Sequence, residues 1–161
     1  MNKIKSLLLI PVLILGLASI AEPYKVTSTV PAIQQQATKT YAYTNPLDVV
    51  ARPNFYKNKN IKIKAKFDKF STLGLDYKPA MRSSEEYISF LIQRPDITDH
   101  NIPLSELKIF LNRTEAEKHI ELNSGDIVEF SGTIFSTALG DPWMTVDKFT
   151  VISTKPKTDK N

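Results

Sequence analysis

Residues 125–153 constrain this chain most: Gly125-Asp-Ile-Val-Glu-Phe-Ser-Gly132-Thr-Ile-Phe-Ser-Thr-Ala138-Leu-Gly-Asp-Pro142-Trp-Met-Thr-Val-Asp-Lys-Phe-Thr-Val-Ile-Ser153. Two runs rich in β-branched and aromatic residues flank the turn cluster 138–142. Gly132 lies inside the first run, where a strand must bend sharply or carry a bulge. A bent hairpin of this kind closes a small barrel.

The beginning of the chain reads as an address. Lys3 and Lys5 precede an apolar run from 6 to 17, interrupted by Pro11 and Gly16. Ser19-Ile20-Ala21 supplies small residues at the two positions a signal peptidase reads. The expectation is a signal peptide over 1–21, cleaved after Ala21, and a periplasmic or secreted protein. An uncleaved anchor is the alternative, but spanning a bilayer takes about 20 apolar residues, and this run is shorter. No cysteine follows it to carry a lipid.

The absence of cysteine removes disulfides, thiol nucleophiles and zinc–thiolate sites, so the core alone must hold the fold. The formal charge is +4. Removing Lys3 and Lys5 from the 21 basic residues, against 17 acidic ones, leaves +2. Proteins that live on polyphosphate usually carry a larger excess.

Residues 22–44 are rich in Thr, Gln, Ala and Ser and have no sustained apolar period; they read as a disordered linker. Asn45-Pro46 predicts a helix start, with Leu47, Val49 and Val50 on its apolar side, Pro53 as its end, and a turn over 54–60. From 60 to 70 the chain alternates. Ile61, Ile63, Ala65 and Phe67 fall on one face; Lys62, Lys64 and Lys66 fall on the other. This strand is long enough to serve two sides of a barrel. Residues 72–86 predict a long connection, of a length that is often functional. Strands follow at 87–93, apolar on both faces, and 107–112, with Leu107, Ile109 and Leu111 opposite Lys108, Phe110 and Asn112. Thr114-Glu-Ala-Glu117 fits a capping box. It predicts a helix from Thr114 to Leu122, and a cost of about 1 kcal/mol for Thr114→Ala. Strands at 126–136 and 144–153 and a polar tail from 155 complete the chain.

Three strands, a helix and two strands predict an all-β fold with one helix: a five-stranded Greek-key barrel plugged by the helix between strands 3 and 4. A β-sandwich is the competing arrangement. On the helix position, the strand Gly125-Asp126-x-Val128-x-Phe130-x-Gly132-Thr133 and its partner Val146-Asp147-Lys148-Phe149-x-Val151, residues 45–154 resemble an OB-fold. They are similar to exported bacterial domains of the tRNA-anticodon-binding-like class. The resemblance implies binding of oligonucleotides, oligosaccharides or proteins, and does not fix the ligand.

It also implies a ligand surface on the second and third strands and on the loops 1–2 and 4–5. Here that surface comprises Tyr77, Lys78, Arg82, Tyr87, Lys108, Phe110 and Trp143. Aromatic rings interleaved with cations suit stacking on bases or sugars, and they equally suit packing over a barrel wall. Lys62, Lys64 and Lys66, flanked by Lys57, Lys59 and Lys69, form the densest basic segment. It is either a polyanion site or a solvated face that discourages edge pairing.

Asp96, Asp99 and His100 share a loop, where aspartates bonded to their own backbone explain them better than a cation does. His119 lies in the predicted helix, and the acceptor sequon at Asn112-Arg-Thr114 carries no expected function. Glu85 and Glu86 are adjacent and would face opposite sides of a strand. Nucleophile-elbow, zinc-protease, phosphate-loop and dinucleotide motifs are missing from the sequence, and so is the I-D-T-P segment of the OB-fold thermonucleases. The sequence reading is therefore an exported, non-enzymatic binding module with no cofactor, no metal and no catalytic residue. Its partner is a protein or an envelope glycan. Single-stranded nucleic acid on the same barrel face is the alternative, and a hydrolase with an unrecognised site is the third reading.

Overall fold

A computed structural model describes residues 38–156. The expected signal peptide and most of the expected linker and tail lie outside the described residues.

The chain enters through β1 (Ala42–Tyr43) and two short helices, α1 (Pro46–Ala51) and α2 (Pro53–Tyr56). Asn45 caps α1 by accepting from the Leu47 N–H, and Pro46 opens the helix. Pro53 ends α1, as expected. It then starts α2, where a turn was expected, because a proline needs no partner for a missing N–H at a first helical position. The linker expectation also changes over its last residues. Ala42 and Tyr43 pair with Ile61 and Lys62 in parallel.

The body of the fold is β2 (Asn60–Ser71), β3 (Tyr87–Ile92), β4 (Lys108–Asn112), β5 (Ile127–Ser136) and β6 (Trp143–Ser153). Neighbours run β2-β3-β4-β6-β5, and β5 pairs back onto β2, so the sheet closes on itself. Closure is possible because β2 serves two neighbours: residues 60–66 pair with β5 and residues 67–71 with β3, across a register shift between Phe67 and Lys69. All pairs within the ring are antiparallel except β4 with β6, a parallel contact from Lys108↔Trp143 to Phe110↔Thr145. A five-stranded Greek-key barrel with a helix between its third and fourth strands is an OB-fold.

Side-chain alternation fills the barrel. Ile61, Ile63 and Phe67 of β2, Phe90 and Ile92 of β3, Ile109 and Leu111 of β4, Val128, Phe130 and Ile134 of β5, and Met144, Val146 and Phe149 of β6 form one buried cluster. Val49 and Tyr56 from the two entry helices and Ala116 from α3 (Arg113–Ala116) join it. Gly132 stands at a register shift against β6, as its place in the strand predicted.

The helix after β4 is shorter and differently capped than expected. α3 ends at Ala116 and passes into a 3₁₀ turn at Glu117–His119. Its cap is Asn112, whose side chain accepts from the Thr114 N–H at 2.9 Å. Asn112 still has an extended conformation as it leaves β4 (φ −59°, ψ 138°), the geometry a cap requires. The stability expected of Thr114 therefore belongs to Asn112: Asn112→Ala should cost about 1 kcal/mol, and Thr114→Ala much less, in paired denaturant titrations.

Candidate functional site

Loops 72–86 and 137–142 meet on the outer face of β3 and β4. Alternation turns Phe110 outward from β4, and Trp143 does the same at the start of β6. The two rings stack, with centroids 5.6 Å apart and planes 18° from parallel. Tyr77 also stacks on Trp143, at 5.3 Å, and the Trp143 Nε1–H donates to the Ala138 carbonyl at 2.8 Å. Ala80 is buried against Phe110 and Trp143, and Leu75, Tyr87, Phe135 and Ala138 pack around the three. Gly74 passes so near that an added Cβ would lie 3.1 Å from both Phe110 and Trp143. Its φ of +82° is open to glycine and strained for other residues.

The expected ligand surface is thus brought together, but its rings are spent on one another. Phe110 and Trp143 are buried, at 0 % and 1 % exposure, rather than open to a ligand. The long loop is the reason. It contains a 3₁₀ turn at Lys78–Ala80 and folds back over the sheet. The Asp76 N–H donates to the Arg82 carbonyl, and the Asp76 carboxylate accepts from the Ser84 N–H. Hydrogen bonding from the Ser84 side chain, and then from its N–H, holds the Asp76 carboxyl below the usual carboxylate range.

Two of the three cations of this surface are engaged as well. Arg82 donates from Nε to Thr145 Oγ1 at 2.9 Å, and its guanidinium covers the Phe135 ring at 3.7 Å. Lys108 pairs with Asp141 at 2.7 Å. Lys78 is exposed. Beside Phe110 in the ladder, Ser89 Oγ is buried without a hydrogen-bond partner among the described residues.

What remains open is the rim. Leu73, Met81 and Leu139 are 38 %, 50 % and 71 % exposed. Each adjoins a residue that packs on the Phe110–Trp143 stack: Gly74, Ala80 and Ala138 respectively. Leu139 has a φ of +61°, a left-handed conformation that costs a side-chain-bearing residue about 1–2 kcal/mol. The sequence reading missed these three positions. Their only signal was apolar residues inside segments otherwise rich in turn formers.

The lysine stripe divides. Lys62 pairs with Glu129 at 3.0 Å and lies 5.1 Å from the Tyr43 ring. Lys59 covers the Phe55 ring at 3.2 Å. Lys64 and Lys66 are exposed, with no ion pair recorded among the described residues. They line a second cleft, of about 600 Å³, with Tyr43, Pro46, Ala65, Gln93, Arg94, Ile97 and Ile127. In the 96–100 loop, Asp96 pairs with Arg94 at 3.2 Å and Asp99 with His100 at 2.7 Å. Among the described residues no group of three or more metal-ligating side chains is placed to hold an ion. His119 packs on the Phe149 ring and contacts Glu115 at 3.3 Å.

The entry segment straps the outside of the barrel. Lys39 and the Tyr41 hydroxyl both bond the Asp147 carboxylate on β6, and the Tyr43 hydroxyl donates to Glu129 on β5. The bond to Glu129 raises the Tyr43 pKa, and the Tyr43 and Lys62 bonds lower that of Glu129. Burial, followed by the bond to Asp147, raises Tyr41. The signs give two limits. A depressed carboxyl stabilises above its unfolded value of about 4.3, and that contribution is lost as pH falls through the lower folded value. A raised phenol stabilises below its unfolded value of about 10, and that contribution is lost as pH rises through the higher folded value. The protection of the Thr44 amide, which donates to the Lys62 carbonyl at 2.9 Å, taken relative to its intrinsic exchange rate at each pH, should therefore be greatest near neutrality and fall towards both limits. Glu129→Gln should remove the acid limb.

No protein-family model matches this chain, and no curated protein matches it. Solved structures do. It is similar to asparaginyl-tRNA synthetase from Pyrococcus horikoshii (16% identity, TM-score 0.46, 76% of this chain and 24% of that one). It is similar to the Entamoeba histolytica asparaginyl-tRNA synthetase (12%, 0.47, 74% and 25%). It is also similar to a mitochondrial single-stranded DNA-binding protein from S. cerevisiae (8%, 0.41, 62% and 99%). The chain spans about a quarter of the length of these synthetases. At such identities the likeness concerns the fold, and the OB-fold assignment here rests on strand order and closure. Among the described residues no helix is long and apolar enough to cross a membrane.

Proposed function

We propose that this chain is an exported, non-enzymatic OB-fold module that binds a protein through the rim formed by loops 72–86 and 137–142. One observation carries the reading: Leu73, Met81 and Leu139 are exposed apolar side chains anchored beside the buried Phe110–Trp143 stack. Apolar groups held on a rigid base suit an interface core, where aromatic and aliphatic side chains leave water together. A ligand that reads by stacking, whether glycan or single-stranded nucleic acid, requires the loop to lift from Phe110 and Trp143. The ion pair of Lys108 with Asp141, the engagement of Arg82 by Thr145 and Phe135, and the small net charge favour a protein over a polyanion. Export rests on the N-terminal sequence.

A photo-crosslinking residue at position 139 tests this in envelope extract, with the same residue at Lys69 as the control. A discrete adduct from position 139, absent from 69 and lost when Met81→Asp is added, is the expected result. No adduct from 139 overturns the reading. So does tight binding of a single-stranded oligonucleotide that weakens steeply with salt and depends on Lys78 and Arg82.

A further inference from the structure

The cleft beside Lys64 is an interruption in the barrel wall. Odd-numbered residues of β2 turn their backbone groups towards β5. The Ile134 N–H donates to the Lys59 carbonyl at 3.1 Å, and the Phe67 N–H donates to the Asp126 carbonyl at 2.8 Å. Even-numbered residues turn the other way. There the Lys62 carbonyl accepts from the Thr44 N–H at 2.9 Å, and the Lys66 carbonyl accepts from the Gln93 N–H at 2.8 Å. Between these two bonds lies Lys64. After Thr44 the chain leaves the sheet to form α1, and β3 joins β2 only from Phe67 onward. No protein group among the described residues reaches the Lys64 N–H and C=O on that side.

The opening has a consistent chemistry. Ala65 faces inward between the two lysines, and Ile97 and Ile127 add apolar side chains to the lining. Lys64, opposite Glu129 in the β2–β5 ladder, and Lys66, opposite Ile127, stand on the outer face, and neither forms a close ion pair among the described residues, whereas Arg94 across the cleft is held by Asp96 at 3.2 Å and Glu106 at 2.7 Å. We propose that this cleft binds an extended acidic peptide, which adds a short strand to the open edge of β2 at Lys64. A peptide supplies an N–H and a C=O at the spacing an open edge demands, together with alternating side chains. A residue paired directly with Lys64 projects its side chain on the same outward face as the lysine, where a carboxylate meets Lys64 and Lys66. The following residue projects to the opposite face, the side of Ala65. This site is separate from the loop rim, and neither proposal depends on the other.

The probe is acetyl-Glu-Val-Glu-Val-Glu-amide, with acetyl-Lys-Val-Lys-Val-Lys-amide as its charge-reversed control. In the free protein the Lys64 amide should exchange faster than those of Ile63 and Ala65, and the acidic probe should slow it. Lys64→Gln combined with Lys66→Glu should weaken the acidic probe by about tenfold and leave thermal unfolding unchanged. N-methylation of the probe should abolish binding only at the residue whose N–H reaches the Lys64 carbonyl: a glutamate if it lies antiparallel to β2, a valine if parallel. A Lys64 amide already protected in the free protein overturns the proposal. Binding that tolerates N-methylation at every residue also overturns it, since that is attraction by charge alone.

Discussion

Trp143→Ala is expected to cost about 3–5 kcal/mol, the range for a large aromatic truncated inside a packed site. The side chain is 1 % exposed. It stacks on Phe110 and Tyr77 and ties its Nε1–H to the 137–142 loop. Both loops lose their common anchor when it goes, and the barrel interior, a separate cluster, does not. The loss should thus appear in two places. The chemical-denaturation midpoint falls, and amides at 74–82 lose protection before those of β2 and β5. Trp143 is the only tryptophan, so in the unaltered protein its fluorescence reports whether the loops are docked. Tyr77→Ala, which removes one ring and leaves the Phe110 stack, should shift that emission at a smaller stability cost. Uniform loss of protection across the barrel would refute the division into core and covering.

Gly132→Ala is expected to cost about 3 kcal/mol, at the upper end of what overpacking exacts. A methyl group there would lie 2.8 Å from the Thr145 carbonyl carbon and 2.9 Å from Val146 Cα, and closer still to the Thr145 oxygen. These are backbone atoms of the neighbouring strand, so no rotamer relieves the clash. β6 must move, and with it the contacts of Met144 and Val146 in the core. A domain of this size has a total stability of about 5–15 kcal/mol, so the variant loses a large share of it. Urea titration should show a lower midpoint with little change in slope.

The architecture was legible where periodicity was strong. The alternation of Ile61, Ile63 and Phe67 with lysines, and the glycine inside the 127–136 strand, predicted a half-buried strand and a bend, and both are present. The covering of the ligand face was not legible. Leu75, Tyr77 and Ala80 follow neither a helical nor a strand period, and their burial comes from a surface outside the barrel. The strap was hidden for another reason: Lys39, Tyr41 and Tyr43 bond carboxylates 86–108 positions away, in a segment whose composition reads as disorder. The choice between Asn112 and Thr114 as cap turned on one residue's backbone angle, which spacing alone does not reveal. The open backbone at Lys64 followed from two neighbours stopping short of each other, a property of the pairing and not of the lysines.

The parallel contact between β4 and β6 has a consequence for how this chain comes into being. Its partners, 108–110 and 143–145, meet only once the final strand has begun to emerge from the ribosome. Until then β4 offers a bare side, and β2 waits for β5 across more than sixty positions. Maturation is therefore governed by arrival of the final strand, and joining ends so far apart is slow. A chain stalled before Trp143 would be a sticky ribbon needing a chaperone, not a smaller version of the finished barrel.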